Sequence, residues 1–160
     1  MCSAARDCTS YASEMDVRLV AATITENSFT ATNDGELTGY PLITFTQPHA
    51  DGNASAPITL KVFPAGAPGY IELTLDLSLQ AGDELVIDCY PTHRSDGILY
   101  TPHGGETVNG LYLLGTTGIV NTIGNRATFP YFLPGINTGS WARGCAKSVS
   151  FAYNVGSVRH

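Results

Sequence analysis

The stretch Ser78-Leu79-Gln80-Ala81-Gly82-Asp83-Glu84-Leu85-Val86-Ile87-Asp88-Cys89-Tyr90 is a turn that feeds a strand. Ala81-Gly82-Asp83 supplies the bend, after which Leu85, Ile87 and Cys89 alternate with Val86 and Asp88, the period of a chain whose successive side chains face opposite ways. Phe132-Leu133-Pro134-Gly135-Ile136-Asn137 repeats this grammar, with the apolar run Phe129 to Leu133 entering a Pro-Gly reversal. Gly82 is free to take a positive φ, and Asp83 accepts bonds from nearby amides and marks where the next strand begins. Pro134 fixes φ, Gly135 relieves the corner after it, and Asn137 caps the backbone of the turn. None of these is a nucleophile or a metal cluster. With Gly35 in the turn Asn33-Asp34-Gly35, they are read as specifying a fold.

Strand signals recur on both sides. Val17 to Ile24 is one apolar, β-prone run, and Phe29 to Thr32 is a second. Pro41 to Thr46 and Ile58 to Phe63 follow, separated by a loop from His49 to Ala56. After the break at Pro64-Ala65-Gly66-Ala67-Pro68-Gly69, Tyr70 to Leu79 alternates most cleanly, with Ile71, Leu73, Leu75, Leu77 and Leu79 on one face. One wet face and one dry face indicate an antiparallel sheet. Gly97 to Thr101 is placed to close a hairpin with Glu84 to Tyr90, and further strands are expected over Ala127 to Leu133 and Ala146 to Val155. Thr107 to Asn125 is mixed and placed only loosely. Ser10 to Met15 is the one helix candidate and is too short to stand alone. The expectation is an all-β chain, an antiparallel β-sandwich or jelly roll of about eight to ten short strands. Residues 1–16 are expected to form a polar arm and 17–160 a single domain.

The 160 residues are 43% apolar and only 14% charged, so the surface relies on neutral polar groups. Formal net charge is −6, yet all fourteen acidic residues lie between Asp7 and Glu106, whereas the remainder carries Arg126, Arg143, Lys147 and Arg159 with no acid. Opposite potentials on the two halves would favour head-to-tail contacts between identical subunits. Scattered basic residues make no phosphate-tracking stripe, which excludes nucleic acid as a partner. No run approaches the roughly 20 apolar residues of a membrane helix, and the first residues lack the apolar core of a secretion signal. Cytosolic folding is therefore expected, with Cys2, Cys8, Cys89 and Cys145 as free thiols; a Cys2–Cys8 bridge is the alternative in an oxidising medium.

Chemistry-bearing patterns are weak. His93 and His103, with Asp88 and Asp96, have no metal-site spacing and are read as loop residues; no metal is expected. No G-x-S-x-G elbow occurs, and Gly104-Gly105-Glu106-Thr107 lacks the lysine of a phosphate loop, so no catalytic residue is assigned. Aromatic residues are better candidates for contact with a ligand or a neighbouring subunit: Trp141, Tyr100, Tyr112 and Tyr131, with Arg143 beside Trp141 in the segment Asn137 to Gly144, read as flexible. The alternative for Trp141 is a plug at the end of the sandwich.

The order of these features resembles the C-terminal β-sandwich domain, galectin-like or carbohydrate-module-like, of siphophage distal tail (Dit-like) proteins, which form the hub between tail tube and adsorption device. The residues that carry the resemblance run from Phe29-Thr30-Ala31-Thr32-Asn33-Asp34-Gly35 and Tyr40-Pro41-Leu42-Ile43, through Leu79 to Asp88 and Phe132 to Asn137, to Ser148-Val149-Ser150-Phe151-Ala152-Tyr153. The resemblance implies a non-enzymatic virion protein without cofactor. It implies assembly in the host cytoplasm, in symmetric contact with identical subunits and other virion proteins. That family usually begins with a separate ring-forming β domain, where this chain has a short polar arm. A neck or capsid decoration protein, or a lectin-like module for a host glycan, is the alternative use of such a sandwich.

Overall fold

A computed structural model describes residues 15–25, 27–46, 57–92, 97–115, 118–124, 128–141 and 148–158. Among them twelve strands form two six-stranded antiparallel sheets. The strands are β1 (Met15–Ala21), β2 (Thr23–Thr25), β3 (Ser28–Asn33), β4 (Leu42–Thr46), β5 (Ile58–Phe63) and β6 (Ile71–Leu75). They continue as β7 (Glu84–Asp88), β8 (Ile98–Thr101), β9 (Val108–Asn109), β10 (Ile119–Asn121), β11 (Gly135–Trp141) and β12 (Ser148–Val158). One sheet has the order β1-β12-β4-β7-β8-β9 and the other β10-β6-β5-β11-β3-β2. A 3-10 turn, Leu111–Leu114, lies between β9 and β10. No helix of the described residues is long and apolar enough to cross a membrane.

Alternation builds the sandwich. Phe29 and Ala31 on β3, Leu60 and Val62 on β5, and Leu73 and Leu75 on β6 face Ile43 and Phe45 on β4, Leu85 and Ile87 on β7, and Phe151 and Tyr153 on β12. Aromatic rings bridge the sheets at the β3–β11–β12 end. Phe29 and Phe151 have centroids 4.1 Å apart, and Phe132 meets Tyr153 edge-on at 4.9 Å. The Tyr153 hydroxyl donates to the Thr32 carbonyl at 2.8 Å, so this buried polar tip is satisfied by the opposite sheet.

Several expected strands differ in extent, each for a physical reason. Val17 to Ile24 is not one strand: β1 pairs with β12, β2 pairs with β3, and the chain changes sheet at Ala22. Met15 and Asp16, expected in the arm, already pair with Val158 and Ser157; residues 1–14 lie outside the described residues. The alternation from Tyr70 to Leu79 outlasts the ladder, which ends at Leu75. Leu79 stays fully buried without strand pairing, and the Asp76 amide bonds instead to the Leu113 carbonyl at 2.9 Å. Period-2 hydrophobicity reports burial, and sheet hydrogen bonding need not accompany it. Thr107 to Asn125 holds β9, the 3-10 turn and β10.

The largest correction concerns β11. Ala127 to Leu133 was expected as a strand, but among its described residues only Phe132 pairs, in an isolated bridge to Gly39. The segment after it, expected to be a flexible loop, is instead a central strand between β3 and β5. Its inward positions are Asn137, Gly139 and Trp141, a set with no apolar periodicity to detect. Gly139 is required there because a Cβ would collide with the Phe29 ring and the Lys61 carbonyl.

Two buried asparagines close this end of the sandwich. Asn137 Oδ1 accepts from the amides of Ala65 (2.7 Å) and Leu133 (3.0 Å), while its Nδ2 donates to the carbonyls of Leu133 (2.9 Å) and Ala31 (3.1 Å). Asn33 Nδ2 donates to the carbonyls of Leu37 (2.9 Å) and Phe132 (3.0 Å), and its Oδ1 accepts from the Gly35 amide (3.1 Å). Asn137→Ala would leave two amides without their acceptor and is expected to lower unfolding free energy by about 3 kcal/mol. Thr138→Ala, one place along on the exposed face, should cost less than about 0.5 kcal/mol. Urea unfolding of the two variants measures the difference; equal stabilities would remove the asparagine from this role.

Candidate functional site

Two backbone registers build an aromatic cleft at one end of the sandwich. The β4–β7 pairing sets Leu42 opposite Asp88 and continues with the Cys89 amide bonding to the Pro41 carbonyl at 3.1 Å, which brings Tyr40 beside Tyr90. On its other side, the antiparallel Gly39–Phe132 bridge, with bonds of 2.7 and 2.8 Å, brings Tyr40 beside Tyr131. Tyr40 therefore sits between two tyrosines that are distant in sequence. Its ring meets that of Tyr90 edge to face, with centroids 5.5 Å apart and planes at 77°. The cleft they enclose is about 270 Å³ and is completed by Cys89, Pro91, Thr128 and Phe129. Tyr90 is 46% exposed, so much of its ring is open to solvent.

The aromatic candidates from the sequence do not converge on one site. Tyr131 lines this cleft, while Tyr112, 69% exposed, borders a separate, more open groove of about 440 Å³ with Glu72, Thr74, Asp76 and Val120. Trp141 is 7% exposed and its ring lies 6.1 Å from that of Phe151, inside the core; its face is not offered to a ligand. Arg143 lies outside the described residues, as do His93, Arg126, Lys147 and Arg159.

Tyr100 serves a buried latch. Its hydroxyl donates to Asp83 Oδ2 at 3.0 Å, and the same carboxylate accepts from the amides of Gln80 (2.8 Å) and His103 (2.9 Å). Asp83 thus ties the turn before β7 to the loop after β8. Gly82, at φ +85°, makes the bend, and any Cβ there would strike the His103 ring. Gly35 packs beneath the Gly156 carbonyl of β12, and Pro134-Gly135 leads into β11 with Gly135 at φ +119°. Among the described residues no three His, Cys, Asp or Glu side chains are grouped as a metal would need.

Nothing local in the sequence marks Tyr40, Tyr90 and Thr128. Only the strand registers, set far along the chain, make them neighbours.

This architecture defines the chain as an antiparallel two-sheet β-sandwich protein. Its fold is shared with a solved structure, the Dit protein of SPP1, described as a paradigm of the hub adsorption apparatus in phages that infect Gram-positive bacteria. The TM-score is 0.54 at 8% sequence identity, over 88% of this chain and 47% of that one, so this chain spans about half the length of its structural neighbour. No family model and no curated protein matches the sequence.

Burial first, and then the negative charge of Asp88, raises the Cys89 thiol well above its ordinary value of 9.0. Tyr100 is raised from 10.0 by burial, by its bond to Asp83, by the charge of that carboxylate and, last, by Tyr112. Both groups are held protonated in the fold, so their contribution is complete below the unfolded values and is lost as pH rises above them. Stability is expected to fall from about pH 9 upward. Cys89→Ala should flatten the first part of that decline. Urea midpoints measured between pH 7 and pH 11 (about the span of both titrations) test this, and an unchanged slope in the variant would count against it.

Proposed function

We propose that the chain is a non-enzymatic structural protein of a bacteriophage particle, a distal-tail or baseplate-associated subunit that acts through protein–protein contacts with identical subunits and other virion proteins. The observation that carries this reading is the fold shared with the SPP1 hub protein over 88% of the chain. The sequence resemblance to the C-terminal sandwich of distal tail proteins points the same way, and supports a location in the virion after assembly in the host cytoplasm. The sandwich would be the docking unit.

The surface is suited to such contacts. On the β2–β3–β11 half of its sheet the outward residues are Thr23, Ser28, Thr30, Thr32, Thr138 and Ser140, beside Ile136 at 65% exposure. No charge sits among them; the charge beside them, Lys61 opposite Ser140 on β5, is paired with Glu72 at 3.7 Å, so a partner covering this face strands no lone ion. A neck or capsid decoration protein would use the same chemistry at another place in the particle.

In particles assembled with an epitope-tagged copy of the chain, electron microscopy is expected to show the label at the tail tip. Label confined to the neck or capsid would refute the tail position, and its absence from purified particles would refute the virion reading altogether. The paired substitution Thr30→Arg with Thr138→Arg should reduce incorporation at least tenfold while the isolated chain keeps its fold.

A further inference from the structure

We infer that the outer edge of β1 is an interaction surface for a second copy of this chain, the two β1 strands pairing antiparallel about a two-fold axis at Val17. The inference concerns the isolated chain and does not depend on a place in a phage particle. Among the described residues β1 and β9 end one sheet, and β2 and β10 end the other. β2, β9 and β10 have only two or three residues each, the short edges by which β proteins limit edge-to-edge pairing. β1 has seven, pairs with β12 from Met15 to Ala21 without a bulge, and contains neither proline nor lysine. It is the long, regular edge of the described fold.

Hydrogen-bond phase decides which backbone groups of β1 face away from the sheet. The Ala22 amide donates to the Phe151 carbonyl at 3.2 Å, so Ala22 and, by alternation, Val20, Arg18 and Asp16 exchange bonds with β12. The amides and carbonyls of Met15, Val17, Leu19 and Ala21 point the other way. The far side of the sheet gives the same phase. The Cys89 amide bonds to the Pro41 carbonyl, which commits Ile43 and Phe45 of β4 to β7 and leaves Leu42 and Thr44 to bond Ala152 and Ser150 of β12. β12 then has Phe151, Tyr153 and Val155 for β1. Outward residues spaced two apart are a template for one more antiparallel strand.

Charge selects the occupant and its register. Outward residues must meet outward residues, so a two-fold pairing that uses at least three of them has its axis at Val17, Arg18 or Leu19. Centred on Arg18, two arginines face each other. Centred on Leu19, Arg18 meets Val20 and Asp16 meets Ala22. Centred on Val17, Asp16 of each copy stands opposite Arg18 of the other, and Met15 opposite Leu19. Opposite charges directly across a ladder add to pairing and like charges subtract from it. Met15-Asp16-Val17-Arg18-Leu19 is therefore its own complement read in the reverse direction, a property that an unrelated extended segment does not share. The pairing joins two six-stranded sheets into one. One strand per copy is a small interface, so the Kd is expected on the order of 100 µM.

Sedimentation velocity of the full chain between about 5 µM and 1 mM should show a monomer–dimer equilibrium. Amide hydrogen exchange locates it. The Val17 and Leu19 amides are expected to exchange quickly in the dilute monomer and about tenfold more slowly at high concentration, whereas those of Arg18 and Val20 are protected in both. Asp16→Arg and Arg18→Asp each set like charges opposite one another and should weaken self-association about tenfold. An equimolar mixture of these two variants restores the opposite pairs and should form a heterodimer, which a folding defect in either would not allow. Val17→Pro, which removes an outward amide and no bond to β12, should abolish the dimer and leave the monomer folded. The proposal is overturned by a chain that stays monomeric at about 1 mM, by single variants that associate as wild type does, by a mixture that stays monomeric, or by a dimer whose protected amides lie outside β1. Val17 and Leu19 amides protected in the monomer would overturn it too, because another segment of the same chain would already cover the edge.

Discussion

Two carboxamides, those of Asn33 and Asn137, hold together the part of the molecule where chain segments change sheets. Both are buried, and a buried amide is tolerated only when its hydrogen bonds are made. Here that demand becomes a geometric constraint. Asn137 must meet Ala65, Leu133 and Ala31 together, which fixes the turn after β5 and the entry to β11 relative to β3. Asn33 imposes the same on Leu37 and Phe132. An apolar residue of similar size would fill the space and leave several main-chain groups unpaired. The two asparagines thus supply conformational specificity that the aliphatic core, being non-directional, does not.

The aromatic cleft inherits its shape from that constraint. Asn33 holds the Phe132 carbonyl, which also accepts from the Gly39 amide, and Tyr40 and Tyr131 flank this bridge. The opposite wall follows from β7, whose start is set by the Asp83 carboxylate through Gln80, Tyr100 and His103. A recognition surface on loops is precise only to the extent that buried groups fix the loops. Here the three tyrosines are the immediate sequence neighbours of paired backbone positions, so little slack separates scaffold and site.

Much of the sandwich was legible from alternation alone, because one-sided burial imposes period 2 on β3, β4, β5 and β7. Legibility failed where an inward position was occupied for shape or hydrogen bonding rather than for apolarity. β11 presents Asn137, Gly139 and Trp141 to the interior: the first is there for its amide, the second for its lack of a Cβ, and only the third for hydrophobic area. Read locally, Asn-Thr-Gly-Ser looks like a loop. The same blindness hid the cleft, since Tyr40, Tyr90 and Tyr131 become neighbours through pairings between residues about 50 and 90 positions apart. Trp141 lies in that same loop-like segment, yet size alone makes such a ring most useful inside.

The resemblance in sequence and the shared fold agree on the scaffold and differ in what they constrain. A sandwich at 8% identity to its neighbour shares the overall fold, not the residues on its surface; function is carried by sites, which have to be read on this chain itself. What this chain adds is two surfaces of different character. The uncharged face over β2, β3 and β11 is flat and made of short hydroxyl side chains, so its burial is inexpensive but contributes little selectivity. The cleft is small, concave and aromatic. A flat face suits a neighbour held in place by many copies, where avidity compensates for weak single contacts; a concave aromatic site suits a ligand that must be distinguished one at a time. The face belongs to one sheet, whereas the cleft is built from segments that follow β3, follow β7 and precede β11.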